Sequence, residues 1–243
     1  MVDQKEFTSI LTGIFSKNGL SSLLSQSKVE LFYRLTELML EQNSLFNLTA
    51  ITEPDKIVLL HYADCAKLAT VLPKGAKMID IGCGAGFPTL PVALLRPDVE
   101  ILAIDSTAKK VNYVARAAEL LGLTNVKTEV TRAEDLAKGP MREKFDVATA
   151  RAVSEMRILS ELALPFVRVG GQFIAMKGKN AEFELSSAKK ALAMLGGKFK
   201  KIERVVLTDG KETMEHPLIF IDKTTKTPDS YPRAYAQITK KPL

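Results

Sequence analysis

A glycine-rich loop is the part of this sequence best suited to bind a ligand. Residues 78–88 are Met-Ile-Asp-Ile-Gly-Cys-Gly-Ala-Gly-Phe-Pro, so a short apolar run containing an acid is followed by three alternate glycines and a proline. Because proline suits the first turn of a helix, this order predicts a strand, a tight loop and a helix start. Gly82, Gly84 and Gly86 allow positive φ angles and let a ligand approach the backbone without meeting a Cβ. The pattern indicates binding of a flat or charged ligand.

The spacing of the glycines separates two classes of ligand. A dinucleotide-binding loop, G-x-G-x-x-G, would require glycine at the position of Phe87. The pattern here is acid-x-G-x-G-x-G, and a second apolar run, Ile101–Ile104, is followed by Asp105. An acid at that place can accept hydrogen bonds from a ribose diol. The two segments resemble the first two motifs of the class I methyltransferases, which bind S-adenosylmethionine, although glycines can also mark only a tight turn.

Cysteines and histidines are too few for a disulfide framework or a Cys/His metal site. The 243 residues, enough for one large α/β domain with an appendage, include only Cys65, Cys83, His61 and His216 of these types. Cys83 lies in the glycine loop, where a nucleophile is conceivable, but a small buried side chain is the simpler interpretation. Since no apolar run approaches the length of a membrane span, we expect a soluble, cytoplasmic protein. The small number of Cys and His residues leads us to expect no metal.

Positive charge is concentrated near the end of the sequence. The chain has 34 Lys and Arg against 28 Asp and Glu, a net charge of +6. Residues 223–243 contain one acid, Asp229, and five basic residues: Lys223, Lys226, Arg233, Lys240 and Lys241. A basic arm of this kind suits a phosphate backbone, although such tails can also merely solvate a protein.

The apolar pattern predicts an N-terminal helical part followed by alternating strands and helices. Phe7, Leu11, Leu31 and Leu35 belong to two runs with helical spacing. Strands are expected at 78–81, 101–104, 126–130, 145–149 and 172–176, and helices at 88–95, 107–121, 156–168 and 182–195. This alternation predicts a mostly parallel sheet with helices on both faces.

A hairpin is expected after the last of these helices. Residues 202–207 and 218–221 have the composition of strands and flank an Asp209-Gly210 turn. A terminal hairpin with an antiparallel last strand is typical of the seven-stranded methyltransferase sheet, whereas dinucleotide folds usually lack it.

Polar residues follow several of the expected strands and should meet in one crevice. In a parallel sheet, ligands bind at the carboxyl ends of the strands. The residues at those ends are Gly82 to Phe87, Asp105 to Thr107, Ala133-Glu134, Ala150-Arg151 and Lys177-Gly178. On position alone, Glu134 and Arg151 could also be ordinary surface charges. His61 and the loop residues Asn47 and Thr49 have no role assigned from the sequence pattern, because packing and turn formation explain them equally well.

A more specific resemblance covers about residue 43 to the end. Its motifs are Asn47-Leu48-Thr49, His61-Tyr62-Ala63-Asp64, the loop from Asp80 to Pro88, Leu95-Arg96-Pro97, Asp105-Ser106 with Lys109-Lys110, Ala150-Arg151-Ala152, Lys177-Gly178, Tyr231-Pro232-Arg233 and Lys241-Pro242-Leu243. Together they resemble the bacterial small-subunit ribosomal RNA guanine-N7 methyltransferases, also called glucose-inhibited division protein B. The resemblance implies a class I fold with an N-terminal helical cap at 1–65, a core at 66–222 and a basic arm at 223–243.

Site residues are carried over from the same resemblance. It implies that S-adenosylmethionine is bound by Asp80, Gly82, Gly84, Gly86, Phe87, Asp105, Ser106, Thr107, Ala133, Glu134 and Arg151. It implies RNA contacts from Lys177, Arg233, Lys240 and Lys241. Arg151 and Lys177 are the candidates for positioning the guanine or a nearby phosphate. Family tails usually have a further basic residue and a glycine after Tyr-Pro-Arg, where this chain has Ala234 and Tyr235.

The implied reaction needs little chemistry from side chains. Guanine N7 has an in-plane lone pair and no proton, so no general base is required, and alignment of donor and acceptor supplies the catalysis. The expected partner is small-subunit ribosomal RNA or the small subunit itself, and the expected state is a monomer. Two alternatives remain open at this point: a methyltransferase acting on a small molecule or protein, and a nucleotide-binding module without enzymatic activity.

Overall fold

A seven-stranded, mostly parallel sheet forms the centre of the protein, in a computed structural model that describes residues 3–243. The strands are β1 Lys77–Ile81, β2 Glu100–Asp105, β3 Val126–Val130, β4 Phe145–Arg151, β5 Val167–Met176, β6 Gly197–Glu203, β7 Val206–Thr208, β8 Thr213–Glu215 and β9 Leu218–Lys223. The sheet has the order β3-β2-β1-β4-β5-β9-β6, and β7 pairs only with β8. Strands β1 to β5 are parallel, whereas β9 is antiparallel to both of its neighbours. The mostly parallel sheet and its antiparallel last strand are thus confirmed.

Helices cover both faces of the sheet, as expected. They are α1 Gln4–Lys17, α2 Gln26–Leu45, α3 Pro54–Ile57, α4 Asp64–Val71, α5 Thr89–Leu95, α6 Ala108–Leu120, α7 Ala133–Leu136, α8 Met156–Ala163, α9 Ala181–Met194 and α10 Tyr235–Lys240. Successive strand residues point to opposite faces. Met78 packs in a core with α1 to α6, while Ile79 packs in a second core with α7 to α10.

One expected helix is too long. The sequence pattern predicts a helix over 156–168, but α8 ends at Ala163, a 3-10 turn follows at Leu164–Phe166, and β5 already begins at Val167. Pro165 explains the difference because it lacks the backbone N–H that a continuing helix would need at that position. Val167 then pairs with Phe145 on β4.

The expected antiparallel pairing is confirmed between β6 and β9, but the turn assigned to it is wrong. The Asp209-Gly210 turn does not join the two strands of the sheet; it closes the separate β7–β8 ribbon. The Asp209 carboxylate accepts hydrogen bonds from the N–H groups of Lys211 and Glu212, both at 2.7 Å. This local turn is as the residue types predict, but β6 and β9 pair with each other across the inserted ribbon.

The N-terminal helices share a core with the sheet. Helix α3, a π-helical turn at Val58–Ala63 and α4 follow one another without a break, so the expected boundary at residue 65 lies inside a helical segment. Phe32 of α2 contacts Tyr62 of that segment with ring centroids 4.8 Å apart. The three-part division stays a prediction, and residues 1 and 2 of the expected cap lie outside the described residues.

The segment after β9 packs on the core through arginine side chains. Arg142 donates to the carbonyls of Thr227 and Tyr231 at 2.7 and 2.8 Å, and Arg157 donates to those of Pro242 and Leu243 at 2.6 and 2.8 Å. Arg233 makes a two-pronged ion pair with Glu161 of α8, with distances of 2.9 and 2.6 Å. Because Glu161 is fully buried, this pair fixes the expected basic arm against the domain.

Replacing Arg233 with Ala should lower the free energy of unfolding by about 3 kcal/mol, because an unpaired charge would remain buried at Glu161. Urea denaturation measures the change. Arg204→Ala is the matched control, since the Arg204–Glu182 pair is more than 60% exposed on both sides, and it should cost at most about 0.5 kcal/mol. The double variant Glu161→Leu/Arg233→Ala should regain much of the loss. A loss for Arg233→Ala no larger than the control's would contradict the inference.

Candidate functional site

One cavity of about 790 Å³ lies at the carboxyl ends of the parallel strands, within the size range of small-molecule sites. Nine of the expected site residues line it: Gly82, Gly84, Phe87, Asp105, Ser106, Ala133, Glu134, Arg151 and Lys177. Six do not: Asp80, Gly86, Thr107, Arg233, Lys240 and Lys241. The topology therefore brings together most of the loop residues that are far apart in sequence.

The glycines of the loop serve different purposes. Gly82 and Gly86 have φ angles of +71° and +83°, and an added Cβ would lie 2.7 Å from a methyl of Val153 and 2.6 Å from one of Leu90. Neither position has room for a side chain, because Val153 and Leu90 pack directly against the glycine backbone. A Cβ at Gly84 would meet only the Gly82 carbonyl, at 3.8 Å. The backbone at Gly84 thus borders the open cavity, where a ligand can approach it.

Asp105 connects the ends of β1 and β2. Its Oδ1 accepts a hydrogen bond from the Thr107 N–H at 2.8 Å, and its Oδ2 accepts one from the Gly84 N–H at 3.2 Å. A carboxylate has about four acceptor positions, so two remain for hydroxyl groups in the cavity. Thr107 acts on the site indirectly, through the orientation of this carboxylate.

Asp80 lies behind the loop rather than in the cavity. It is fully buried, and its Oδ2 accepts a hydrogen bond from the Thr89 hydroxyl at 2.6 Å, whereas its Oδ1 has no hydrogen-bond partner among residues 3–243. Burial raises the pKa of Asp80 to about 6. The structure therefore gives Asp80 a contact inside the protein, to the start of α5.

Arg151 joins the end of β4 to the helical segment 54–71. Its guanidinium donates to the Leu60 carbonyl at 2.9 Å and to Nδ1 of His61 at 3.0 Å, and it lies 3.4 Å from Oδ2 of Asp64. It also lies over the Phe87 ring, 5.3 Å from the centroid. Arg151 is therefore held in place by partners on two separate parts of the chain.

His61 is an uncharged member of this cluster. Its ring stacks on Phe87 with centroids 4.2 Å apart and is 6% exposed. Burial and the positive charge of Arg151 lower the pKa of His61 to about 3. Since Arg151 can only donate, Nδ1 of His61 accepts and the proton resides on Nε2, which faces the Thr49 hydroxyl at 3.2 Å. The sequence pattern left His61 and Thr49 unassigned; their partners come from β4 and cannot be inferred from local spacing.

Lys177 and the basic residues of the final segment are placed differently. The ammonium group of Lys177 pairs with Glu184 at 2.6 Å and donates to the Ser154 carbonyl at 2.7 Å, which ties the loop after β4 to α9. Its side chain is only 9% exposed. Lys240 and Lys241 are exposed, whereas the Arg233 guanidinium is engaged by Glu161.

Besides His61 and Thr49, the residues that line the cavity and were missed by sequence reasoning include Tyr235 and His216. Tyr235, at the start of α10, has the Arg132 guanidinium 5.6 Å from its ring centroid. His216, just before β9, places its Nδ1 3.4 Å from Oδ1 of Asp64. Neither residue belongs to a periodic pattern. The departure of this tail from the family at Ala234 and Tyr235 was the one available signal for Tyr235.

Acidification should destabilise the wild type more than His61→Gln. Because the pKa of His61 is lower in the folded protein than the ordinary value of 6.5, its contribution is complete above pH 6.5 and is lost as the pH falls toward about 3. Between pH 7 and pH 5 the wild type should lose up to about 2 kcal/mol more unfolding free energy. Urea denaturation of both proteins at both pH values measures this difference and cancels other titrating groups, such as Asp80, whose raised pKa acts in the opposite sense. Equal pH dependence in the two proteins would argue against a neutral, buried His61.

Comparisons with known proteins agree with this architecture. The family model described as rRNA small subunit methyltransferase G (GidB) matches residues 28–212. Ribosomal RNA small subunit methyltransferase G of Clostridium perfringens is 45% identical over 222 residues, which cover 90% of this chain and 92% of the relative. The Desulfitobacterium hafniense protein of the same name is 40% identical over 96% of this chain and 97% of its own length.

A similarity to solved structures concerns the fold. TYW2 of M. jannaschii, solved in complex with AdoMet, has a TM-score of 0.53 and 15% identity, covering 66% of this chain and 74% of that one. This chain has a class I methyltransferase fold. Since the family model spans most of the sequence and the named relatives align over nearly all of it, the chain belongs to the rRNA small subunit methyltransferase G family.

Proposed function

We propose that this protein transfers a methyl group from S-adenosylmethionine to N7 of a guanine in small-subunit ribosomal RNA. The observation that carries the proposal is the cavity, which combines the open backbone at Gly84 and the available carboxylate of Asp105 in a chain of this family. The curated relatives are named ribosomal RNA small subunit methyltransferases. Methylation at guanine N7 is the more specific part of the proposal, because the names of these relatives state the RNA but not the methylated atom.

The residues of the cavity fit the cofactor. The free acceptor positions of Asp105 suit the ribose hydroxyls, and the loop at Gly84 admits a group close to its backbone. Ala133 and Glu134, at the start of α7, line the same crevice and complete the proposed cofactor site. When bound, the sulfonium supplies an already activated methyl group.

The surrounding side chains act by holding the reactants rather than by moving protons. Guanine N7 carries no proton, so the reaction needs no base, and alignment alone can lower a barrier by roughly 7–11 kcal/mol in good cases. His61 fits this view because both of its ring nitrogens are engaged, by Arg151 and Thr49. Arg151, with its partners on the helical segment 54–71, forms a fixed wall of the cavity.

RNA binding is assigned to exposed basic groups. Lys240, the last residue of α10, and Lys241 after it are exposed, and the first residue of α10, Tyr235, lines the cavity. Lys177 and Arg233 form ion pairs with Glu184 and Glu161. They would therefore support RNA binding by stabilising the structure of the site. The target nucleotide must enter the cavity, which favours an unpaired or flipped base.

The remaining expectations are part of the same proposal. No helix among residues 3–243 is long and apolar enough to cross a membrane. Within that range, no group of three or more His, Cys, Asp or Glu residues is arranged to hold a metal ion. We propose a monomer that acts in the cytoplasm, where its ribosomal substrate is, and that needs no metal.

Incubation with labelled S-adenosylmethionine and small subunits from a strain lacking this protein should produce 7-methylguanosine, detected by nucleoside mass spectrometry. Asp105→Ala should weaken cofactor binding by about 10- to 100-fold, the loss of one or two hydrogen bonds to a charged group. Asp135→Ala is the matched control, because Asp135 adjoins Glu134 but is exposed and outside the cavity. Cofactor binding without label in the RNA would reject the ribosomal substrate and favour a small molecule or protein as acceptor.

The affinity for RNA should fall with salt, and Lys240→Ala/Lys241→Ala should make that dependence shallower. Each lost phosphate contact reduces the slope of log affinity against log salt by about 0.7–0.9. Replacing charges is preferable to deleting 231–243, because deletion would leave Glu161 unpaired. Lys74→Ala/Lys144→Ala is the control: both lysines are exposed and precede β1 and β4, at the opposite edge of the sheet. Equal slopes of log affinity against log salt for the two double variants would show that Lys240 and Lys241 do not contact the RNA.

A further inference from the structure

Thr49 lies on the wall of the cavity formed by the loop between α2 and α3. The side chain of Asn43, near the end of α2, holds this loop by accepting hydrogen bonds from the N–H groups of Leu48 at 2.8 Å and Thr49 at 2.9 Å. Thr49 is half-buried and lines the cavity together with Leu48 and His61. The position of its side chain is therefore fixed by the backbone around it.

The hydrogen bonds around the Thr49 hydroxyl determine whether it donates or accepts toward the cavity. Its oxygen accepts from the N–H of Ile51 at 3.1 Å. It also accepts from Nε2–H of His61 at 3.2 Å, because Arg151 occupies the other ring nitrogen as a donor. A hydroxyl has two lone pairs and one proton, so both acceptor positions are used. The proton has no acceptor among residues 3–243 and can only be donated to something in the cavity.

The proposed function assigns the cofactor to Gly84, Asp105 and Glu134, which follow β1, β2 and β3. Thr49 lies toward the other side of β1, because its partner His61 is bonded to Arg151 at the end of β4. The group that Thr49 meets therefore belongs to the acceptor of the methyl group. On the base edge that carries N7, guanine presents the acceptor O6, whereas adenine presents an N6–H₂ donor. A donor at O6 also leaves the N7 lone pair free for the reaction. A two-pronged arginine contact to O6 and N7 would occupy that lone pair, and the Arg151 guanidinium is already directed at Leu60, His61 and Asp64.

We propose that the Thr49 hydroxyl, held as a pure donor by Ile51 and His61, donates a hydrogen bond to O6 of the target guanine and thereby distinguishes guanine from adenine. This inference rests on the proposed function and adds a specificity-determining contact to it. His61 is then a positioning residue, because it sets the direction of the Thr49 proton through the bond from Arg151.

The test compares two RNA substrates that differ only at the target nucleotide. Small-subunit RNA is assembled by splinted ligation with either guanine or 2-aminopurine there, since 2-aminopurine keeps N7 and the 2-amino group but lacks O6. The wild type should show kcat/KM about 10- to 100-fold lower on the 2-aminopurine RNA, allowing for a lost hydrogen bond and the altered base. Thr49→Val should be about 10-fold slower than wild type on guanine and should discriminate at least 5-fold less between the two RNAs.

The ratio between the two RNAs separates a substrate contact from a structural defect. The intrinsic reactivity of N7 differs between the bases, but this difference is the same for every variant and cancels when discrimination ratios are compared. Thr49→Ser keeps the hydroxyl and should restore the wild-type ratio. Thr131→Val is the matched control, because Thr131 lines the cavity next to Arg132 on the cofactor side, and its ratio should stay within about twofold of wild type.

The outcomes distinguish failure of the inference from failure of the proposed function. If the wild type methylates the guanine RNA and Thr49→Val retains the full discrimination against 2-aminopurine, Thr49 does not contact O6 and the inference is overturned. If the wild type binds S-adenosylmethionine but methylates neither RNA, the proposed function falls, and the inference with it.

Discussion

The guanidinium of Arg151 is the group on which the geometry of the cavity depends. It stands at the end of β4 and holds the helical segment 54–71 through Leu60, His61 and Asp64, while the Phe87 ring lies beneath it. The segment belongs to the N-terminal helices, and Phe87 ends the glycine loop. One charged side chain thus joins three parts of the chain that are distant in sequence. Arg151 is mostly buried, so each contact must be satisfied, and this requirement makes the arrangement specific.

Charge buried under the final segment has a similar role on the other face of the sheet. Glu161 on α8 has no access to solvent and requires Arg233. The Lys223 ammonium group is buried at the end of β9, where it donates to the Leu164 carbonyl at 2.7 Å and to the hydroxyl of Thr227 in the final segment. These pairs hold residues 224–243 on the domain and bring Tyr235 to the cavity. The basic residues of this segment therefore divide between structural anchors and exposed charges, a division that net charge alone does not show.

The chemistry of the proposed acceptor explains why the cavity needs no group that transfers protons. A nucleophile without a proton needs alignment and the exclusion of competing geometries. The cluster of Arg151, His61 and Thr49 supplies directed hydrogen bonds, and burial keeps the histidine neutral. A charged His61 would face the guanidinium at 3.0 Å and would no longer accept its hydrogen bond. The neutral ring is thus a structural requirement of this cluster as well as a consequence of burial.

The sequence by itself determined the parallel sheet, the glycine loop and Asp105, because strand and helix periodicities and glycine spacing are local signals. Local signals also gave the Asp209-Gly210 turn. They could not show which strands the turn joins, since strand pairing depends on residues far along the chain. Only the tertiary structure decided that Arg233 anchors the final segment and that Thr49 and His61 belong to the site. Partners on other elements determine which of their atoms donate and which accept. A hydrogen bond between distant parts of the chain leaves no regular spacing in the sequence by which it could be recognised.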